Sequence, residues 1–233
     1  MNIMNSNGIV TITEGIIGVG KTTFSEALSK HLNAKWMKEP DEENGNPYLT
    51  KFYEDPERWA LTMQMHLLNS RYRMHIHAQW CALQSGKNIV IDRSYFGDTA
   101  FANLQFENGT LSSDEFETYC MTYQNMTSSV LLPQVCVFLD VDPEISQERV
   151  KRRMDIQTGR TCENAIDLRY LVNLKKHQDR VIDTLQSQGV KIIKLEWNKN
   201  RTPEEIDCEA KKVSEEIFSL TKKSFMDLYR RTM

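Results

Sequence analysis

The sequence lacks the features of a membrane or secreted protein. No apolar run approaches the ~20 residues that a membrane-spanning helix needs. The opening MNIMNSN has neither the charged start nor the apolar centre of a signal peptide. The five cysteines form no C-x-x-C pair and the five histidines form no H-E-x-x-H, which disfavours a disulfide frame or a zinc site. These absences favour a cytoplasmic protein with reduced thiols.

The chain also lacks an excess of basic residues. Its net charge is −3 and its pI is about 6.0, which argues against a nucleic-acid-coating protein and against a polybasic membrane anchor. We find no internal repeat and no low-complexity segment. With 233 residues, 40% hydrophobic and 26% charged, the composition is that of an ordinary globular protein, and we expect a single domain over residues 1–233.

Glycine is scarce, yet three of the ten glycines fall in the stretch EGIIGVGKTT, residues 14–23. The preceding GIVTIT is a short β-branched run that predicts a buried strand. The following TTFSEALSKHL has apolar residues at helical spacing. Gly15, Gly20, Lys21 and Thr22 match G-x-x-x-x-G-K-[ST], so the pattern predicts a phosphate-binding loop between a strand and a helix. The plainer alternative is a glycine-rich turn with a surface lysine.

The residue types of this loop suit a nucleoside triphosphate. Glycines let backbone N–H groups converge on an anion, and the next helix adds its positive end. Lys21 can reach the β- and γ-phosphates, and the Thr22 hydroxyl can ligate Mg²⁺. We therefore expect ATP, or a related triphosphate, to contact Gly15, Ile16, Ile17, Gly18, Val19, Gly20, Lys21, Thr22 and Thr23.

Short apolar runs alternate with longer helical patterns along the chain. The predicted strands are 8–14, 34–38, 88–92, 134–141 and 189–195. The predicted helices are 20–32, 54–85, 98–106, 112–131, 143–154, 167–187 and 203–220, the last with Thr202 as N-cap and Glu205 completing a capping box. Together with the phosphate-binding loop, this alternation predicts a P-loop α/β fold with five parallel strands and helices on both faces.

Ligands of such sheets bind beyond the carboxyl ends of the strands, which directs attention to Glu39, Asp92 and Arg93. Glu39 could accept a proton from an attacking hydroxyl, or it could be a solvated glutamate at a strand end. Asp92 follows its strand as a Walker-B-type acid does, and it could hold Mg²⁺ while Arg93 binds a carboxylate or a phosphate. The alternative for Asp92 and Arg93 is an adjacent structural ion pair.

The segment ERVKRRMDIQTGRTCE, residues 148–163, is rich in arginine. Phosphoryl transfer needs cations around the γ-phosphate, and a closing lid can supply them while it excludes water. A solvated basic helix end is the alternative. We expect an arginine-rich lid at about 152–163.

Several motifs in order resemble one family. The set EGIIGVGKTT, KEP, FYEDPERW, MQMHLLNSR, DRSYFGD and RTCENAIDLRYL is similar to the deoxyribonucleoside kinases, chiefly those that act on deoxyadenosine, deoxyguanosine and deoxycytidine. The resemblance spans roughly residues 8–195. It implies a doubly wound kinase fold, a homodimer formed through long helices, and transfer of a phosphoryl group from a triphosphate to a deoxynucleoside 5′-hydroxyl.

The resemblance also implies roles for individual residues. Glu39 is similar to the catalytic base, Arg93 to the arginine that holds it, and Lys21 to the phosphate-loop lysine. The expected substrate-binding residues are Tyr53 and Glu163 at the sugar 3′-hydroxyl, and Gln64, Arg71 and Asp98 near the base. Arg153 and Arg160 are similar to lid arginines that contact the triphosphate, and Thr22 and Asp92 are the expected metal ligands.

These roles fit the sequence pattern. Gln64 and Arg71 are seven residues apart on a predicted helix, so they share a face. An Arg–Asp pair suits a base with an exocyclic amine, or a purine, better than thymine. Other interpretations remain: Gln64 and Arg71 as a polar stripe on an exposed helix, and Tyr53 as a packed aromatic. A thymidylate-kinase-like nucleoside monophosphate kinase and a non-catalytic nucleotide-binding module are the alternative functions.

Overall fold

The computed structural model describes residues 8–39, 46–156 and 166–231. Its five strands are β1 (Val10–Glu14), β2 (Lys35–Met37), β3 (Ile89–Asp92), β4 (Val135–Asp140) and β5 (Lys191–Glu196). Its helices are α1 (Lys21–His31), α2 (Leu49–Glu54), α3 (Pro56–Ser85), α4 (Tyr95–Glu107), α5 (Ser113–Thr127), α6 (Pro143–Ile156), α7 (Leu168–Ser187) and α8 (Pro203–Arg231).

The strands form one sheet in the order β2-β3-β1-β4-β5, and every pairing is parallel. The predicted strands are confirmed, each within two residues of its observed bounds. All residues of β1 and β3 are buried, as expected for central strands that helices cover on both faces. In the sheet register Thr13 pairs with Asp92, so the residues that follow β1 and β3 emerge side by side at one edge.

Two hydrophobic clusters lie on opposite faces of the sheet. On one face, Val90 and Val137 pack with Phe24 and Leu28 of α1 and with Val213 of α8. On the other face, the sheet residues Ile12, Ile91 and Phe138 pack against α3, α5 and α7. Those helices contribute Leu68, Tyr119, Ile182 and Leu185. Because successive strand residues point to opposite faces, Val90 and Ile91 fall in different clusters.

Several helix boundaries differ from the prediction. The helix predicted over 54–85 is confirmed as α3, which begins at Pro56 because Asp55 is non-helical and its carboxylate caps the helix by accepting from Arg58 N at 3.2 Å. The short helix α2 before it was not predicted. Helix α4 begins at Tyr95 rather than at 98, since the Ser94 hydroxyl caps it by accepting from Phe96 N. The predicted capping box of α8 is confirmed, with Thr202 N donating to Glu205 at 2.7 Å.

Two expectations concern the ends of described segments. Helix α8 continues to Arg231, so most of the tail expected at 221–233 extends this helix instead of ending it near 220. Helix α6 contains the first part of the arginine-rich segment, and the rest of the expected lid, including Arg160 and Glu163, lies outside the described residues. Within the described ranges, no helix is both long enough and apolar enough to cross a bilayer.

Candidate active site

The loop after β1 is shaped by glycines, which tolerate a positive φ and, at Gly18, a close approach of neighbouring atoms. Gly18 has a φ of +78°, and a Cβ there would lie 2.7 Å from a methyl of Val150 and 2.9 Å from the carbonyl oxygen of Ser146. Gly20, with a φ of +98°, precedes the first residue of α1. The side chains of Ile16 and Val19 are buried in the core, so these two residues offer only their backbone to a ligand. The predicted strand–loop–helix arrangement is therefore confirmed.

Lys21 occupies the centre of this loop. Its Nζ donates to the carbonyl oxygens of Gly15 at 3.1 Å and Ile16 at 3.0 Å. Burial, followed by the charge of Arg93, lowers the pKa of Lys21 to about 7. A bound polyphosphate would favour the charged form of this amine, because opposite charges in a buried site attract strongly.

Thr22 and Asp92 connect the loop to the end of β3. The Thr22 hydroxyl donates to Asp92 Oδ2 at 2.6 Å, whereas the buried Oδ1 has no hydrogen-bond partner. Burial, and next the charge of Glu39, raise the pKa of Asp92 to about 6. One hydroxyl and one carboxylate with a vacant oxygen suit Mg²⁺, which takes oxygen ligands and usually completes its shell with water and phosphate. No cluster of three or more His, Cys, Asp or Glu residues with metal-binding geometry occurs among the described residues.

Glu39 lies between two arginines at the end of β2. Its Oε1 accepts from Arg93 Nε at 2.9 Å and also from Arg71 Nη2. Burial alone would raise the pKa of Glu39, but the charges of Arg93 and Arg71 outweigh it and lower that pKa to about 2. The Nη2 of Arg93 donates to Gly15 O at 3.2 Å, so one guanidinium contacts both the carboxylate and the phosphate loop. Asp92 and Arg93 thus bind different partners, and the adjacent-ion-pair interpretation is wrong.

A cavity of about 500 Å³ joins these groups. Lys21, Thr22, Glu39 and Arg93 line one part of it. The lining elsewhere includes the predicted substrate residues Tyr53, Gln64 and Arg71 together with apolar side chains, namely Leu49, Phe52, Met63, Leu67, Phe101 and Tyr170. The cavity therefore has a charged end at the phosphate loop and a largely apolar end beside α3, a combination typical of small-molecule sites.

Asp98 lies behind the apolar end of the cavity and is fully buried. It accepts from Gln64 Nε2 at 2.7 Å, from the Tyr119 hydroxyl at 2.8 Å and from Arg71 Nη1. The Gln64 side-chain oxygen in turn accepts from Gln105 Nε2 at 3.1 Å. Burial raises the pKa of Asp98, and the donors from Arg71, Tyr119 and Gln64 oppose that rise. Gln64 and Arg71 are buried, so their interpretation as a polar stripe on an exposed helix is wrong.

The basic segment reaches the same cavity from α6. Arg153 and Arg149 both line it. Arg149 also donates to the carbonyl oxygens of Trp197 at 2.9 Å and Lys199 at 2.9 Å, and this tethers α6 to the loop after β5. These bonds show that Arg149 is not simply a solvated residue at a helix end. No sequence pattern distinguishes it from its basic neighbours in the ERVKRR run.

The sequence analysis also missed buried residues that support the site. Glu14 ends β1 and accepts from Ser94 N and from the Ser94 hydroxyl. The Phe101 ring packs against the Arg93 guanidinium, and its centroid lies 4.9 Å from the guanidinium carbon. Tyr119 is on α5, far along the sequence from the phosphate loop. Only its buried hydrogen bond to Asp98 reveals a role, and no spacing rule links the two residues.

Comparison with known proteins identifies the group to which this chain is related. A sequence profile described as deoxynucleoside kinase matches residues 11–222. The chain belongs to the deoxynucleoside kinase family. The resemblance drawn from its motifs is thus confirmed, and this kinase transfers a phosphoryl group from a nucleoside triphosphate to a deoxynucleoside. The alternatives of a monophosphate kinase and of a non-catalytic module are set aside.

Individual relatives agree with that assignment. This kinase is 34% identical to a deoxyguanosine kinase of Dictyostelium discoideum over 197 residues, covering 84% of this chain and 67% of the relative. It is 35% identical to a deoxyadenosine kinase of the same organism, and the match covers 82% of this chain and 74% of that relative. Its fold matches a solved deoxyadenosine kinase of M. mycoides with dCMP and dCDP bound, with a TM-score of 0.74 and 24% identity over 91% of this chain and all of the other.

Proposed function

We propose that Glu39 is the general base of this kinase and accepts the proton of the deoxynucleoside 5′-hydroxyl as that oxygen attacks the γ-phosphate of ATP or a related triphosphate. The observation that carries the proposal is the position of Arg93, whose guanidinium contacts both the Glu39 carboxylate and the carbonyl of Gly15 in the phosphate loop. A hydroxyl beside Glu39 would then face the loop across one cavity, the alignment that direct transfer requires.

Cations around the loop would stabilise the charge on the transferring group. Lys21 and the backbone amides of residues 15–23 would bind the phosphates, and Arg153, which lines the same cavity, would approach the γ-phosphate. Mg²⁺ held by Thr22 and Asp92 would supply further positive charge to the β- and γ-phosphate oxygens. Arg160 is a second lid arginine in this proposal, on the strength of the family resemblance alone.

The apolar end of the cavity would hold the nucleoside. Tyr53, with Glu163, would bind the sugar 3′-hydroxyl, and Gln64 and Arg71 would face the edge of the base, held by Asp98 behind them. We infer a purine deoxynucleoside or deoxycytidine as substrate. Support comes from relatives named deoxyguanosine kinase and deoxyadenosine kinase, and from a Bacillus subtilis deoxyadenosine/deoxycytidine kinase 34% identical over 170 residues.

A homodimer and a cytoplasmic location complete the proposal. A groove lined by α4, α5 and α7 combines apolar side chains such as Val181 with polar ones such as Asn103 and Arg180, and this is the face that would meet a second copy. Light scattering after size exclusion would distinguish a protein of twice the chain mass from a monomer.

A substrate panel tests the reaction. The enzyme would be given γ-labelled ATP with each of the four deoxynucleosides and, separately, with each of their 5′-monophosphates. We expect label on deoxyadenosine, deoxyguanosine or deoxycytidine, and much less on thymidine. Preferential labelling of the monophosphates would overturn the choice of acceptor.

The role of Glu39 is tested by Glu39→Gln, which keeps the shape of the side chain but removes its basicity. We expect kcat to fall by about 10²-fold or more, the effect of losing a general base. Glu57→Gln is the matched control, because Glu57 is exposed on α3. A loss of less than about threefold in a folded Glu39→Gln enzyme would reject Glu39 as the base.

A further inference from the structure

Arg93, the residue that positions Glu39, is held in an uncommon backbone conformation. Its φ is +61°, in the left-handed region that residues with side chains seldom adopt. Its backbone N–H donates to Thr13 O at 3.1 Å, and its Nη1 is buried with no hydrogen-bond partner. The Nε and Nη2 of the guanidinium bond Glu39 and Gly15, so the group that holds the turn and faces Nη1 remains to be identified.

Glu14 is the group placed to hold the turn and face Nη1. Its Oε1 accepts from Ser94 N at 2.8 Å and from Ser94 Oγ at 2.6 Å, which fixes the residue directly after Arg93. Its Oε2 lies 4.0 Å from the unpartnered Nη1 of Arg93 and accepts from Gln178 Nε2 of α7 at 3.2 Å. The carboxyl group is fully buried, so neither water nor a ligand competes for it.

Helix α4 leaves space for this carboxyl group at Gly97. A Cβ at Gly97 would lie 2.4 Å from Glu14 Oε2 and 2.8 Å from its Oε1. A glycine inside a helix normally destabilises it relative to alanine. Its presence in the first turn of α4 is explained by the space that Glu14 occupies.

We propose that Glu14 is a positioning residue for the phosphoryl transfer: it fixes the turn at Arg93 and directs the guanidinium towards Glu39, and Gly97 is required because Glu14 fills the site of its side chain. Glu14 is not among the residues that line the cavity, and the cation of the site that its carboxylate approaches is Arg93, at 4.0 Å, so its effect on transfer would be indirect. The inference rests on the proposed role of Glu39.

Glu14→Gln tests the charge while it keeps an acceptor for Ser94. We expect kcat to fall roughly 10- to 100-fold, as when a reacting group is misplaced, with both KM values changed less than about threefold. Thr13→Val is the matched control, because Thr13 is equally buried on β1 and its hydroxyl bonds Ile91 O. We expect the control to lower the melting temperature but to retain its kcat. A Glu14→Gln enzyme with unchanged kcat would overturn the proposal.

A double-mutant cycle with Arg93→Lys separates positioning from a general structural defect. If Glu14 acts through Arg93, the double variant loses no more activity than Arg93→Lys alone. Losses that multiply would show that Glu14 acts elsewhere and would overturn the proposal. Glu39→Gln is assayed in parallel to separate the two proposals. Full activity of Glu39→Gln would reject the proposed role of Glu39. If Glu39→Gln loses most of its activity but the losses in the Glu14–Arg93 cycle multiply, only the role of Glu14 is rejected.

Gly97→Ala provides a test that does not depend on the folding of Glu14→Gln. The substitution favours the helix, but its Cβ would occupy the site of the Glu14 carboxyl and displace that group from its present position. We expect a folded enzyme with a kcat lowered as in Glu14→Gln. A folded Gly97→Ala enzyme with wild-type kcat would contradict the proposal.

Discussion

Arg93 Nε donates to Glu39 Oε1 across 2.9 Å, which joins the end of β3 to the end of β2 directly above the phosphate loop. Arg71 contacts the same carboxylate, and together the two arginines hold the pKa of Glu39 at about 2. The carboxylate is therefore ionised throughout the neutral range, and the arginines that orient it also reduce its basicity.

Replacing Arg71 should make catalysis more sensitive to acid. Arg71→Met removes one of the charges that lower the pKa of Glu39, so that pKa rises and more of the variant is protonated as the pH falls. We expect the ratio of wild-type to variant kcat/KM to be flat near neutral pH and to rise as acidification approaches the raised pKa of Glu39 in the variant. Arg58→Met, an exposed change on the same helix, is the control. A ratio that does not vary with pH would contradict this account.

Removing the Lys21 amine should impair transfer more than nucleoside binding. Lys21→Met keeps much of the side-chain volume but removes the charge near the phosphates, and we expect kcat to fall by about 10²-fold or more, as when one electrostatic donor is deleted. The KM for the deoxynucleoside should change much less, because Glu39 and α3 line the rest of the cavity. Lys30→Met serves as control, since Lys30 is exposed in an ion pair with Glu26. If Lys21→Met and Lys30→Met lowered kcat equally, the proposed role of Lys21 at the phosphates would be refuted.

Binding of Mg²⁺ should depend on the Thr22 hydroxyl. Chelation with EDTA should abolish turnover, and added Mg²⁺ should restore it. Thr22→Ser keeps the hydroxyl and should need a similar concentration of Mg²⁺, whereas Thr22→Val should need a markedly higher one. Calorimetric titration of Mg²⁺ into the enzyme with a non-hydrolysable ATP analogue measures this directly. If Thr22→Ser and Thr22→Val gave identical Mg²⁺ titrations, Thr22 would be rejected as a metal ligand.

His75 should make the fold less stable in acid. Burial lowers the pKa of His75 to about 4, and the hydrogen bond between its Nε2 and Leu131 O only partly opposes that decrease; its Nδ1 is buried with no hydrogen-bond partner. A histidine in the unfolded chain has a pKa of about 6.5, so between that pH and pH 4 the unfolded state binds more protons than the folded state does. The free energy of unfolding should then decrease as the pH falls, by up to about 1.4 kcal/mol per pH unit.

Urea unfolding of His75→Gln at pH 7.5, 6.0 and 5.0 measures that contribution. The variant should lose less stability than the wild type on acidification, because it has no ring to protonate. His77→Gln, exposed on the same helix, should follow the wild-type dependence. If both variants gave the wild-type slope, the acid sensitivity would have another origin.

Local patterns in the sequence were enough to predict the sheet, the phosphate loop and the position of Glu39. These features depend on neighbours along the chain: β-branched runs, a glycine spacing, and the rule that strand ends share an edge. The same kind of local pattern predicted α3 to within two residues, whereas the short helix α2 before Asp55 was missed.

Contacts between distant segments could not be derived in this way. The alternative of a solvated polar stripe for Gln64 stayed open in the sequence, because periodicity does not show which face of a helix is covered. The bond from Tyr119 to Asp98 and the placement of Glu14 against Gly97 depend on how α4 and α5 pack on the sheet. A buried carboxyl group and a helical glycine have no spacing pattern in common, so only coordinates reveal that one requires the other.

Helix α3 has a consequence for how enzymes of this kind diverge. It carries Gln64 and Arg71, the proposed contacts of the base, whereas the proposed phosphate ligands belong to the turn between β1 and α1. Because these are separate pieces of the chain, a descendant could exchange one or two side chains of α3 and accept a new nucleoside while it inherits the transfer chemistry intact. Ancestry would then be preserved most clearly at the phosphates, and adaptation would be recorded along this one helix.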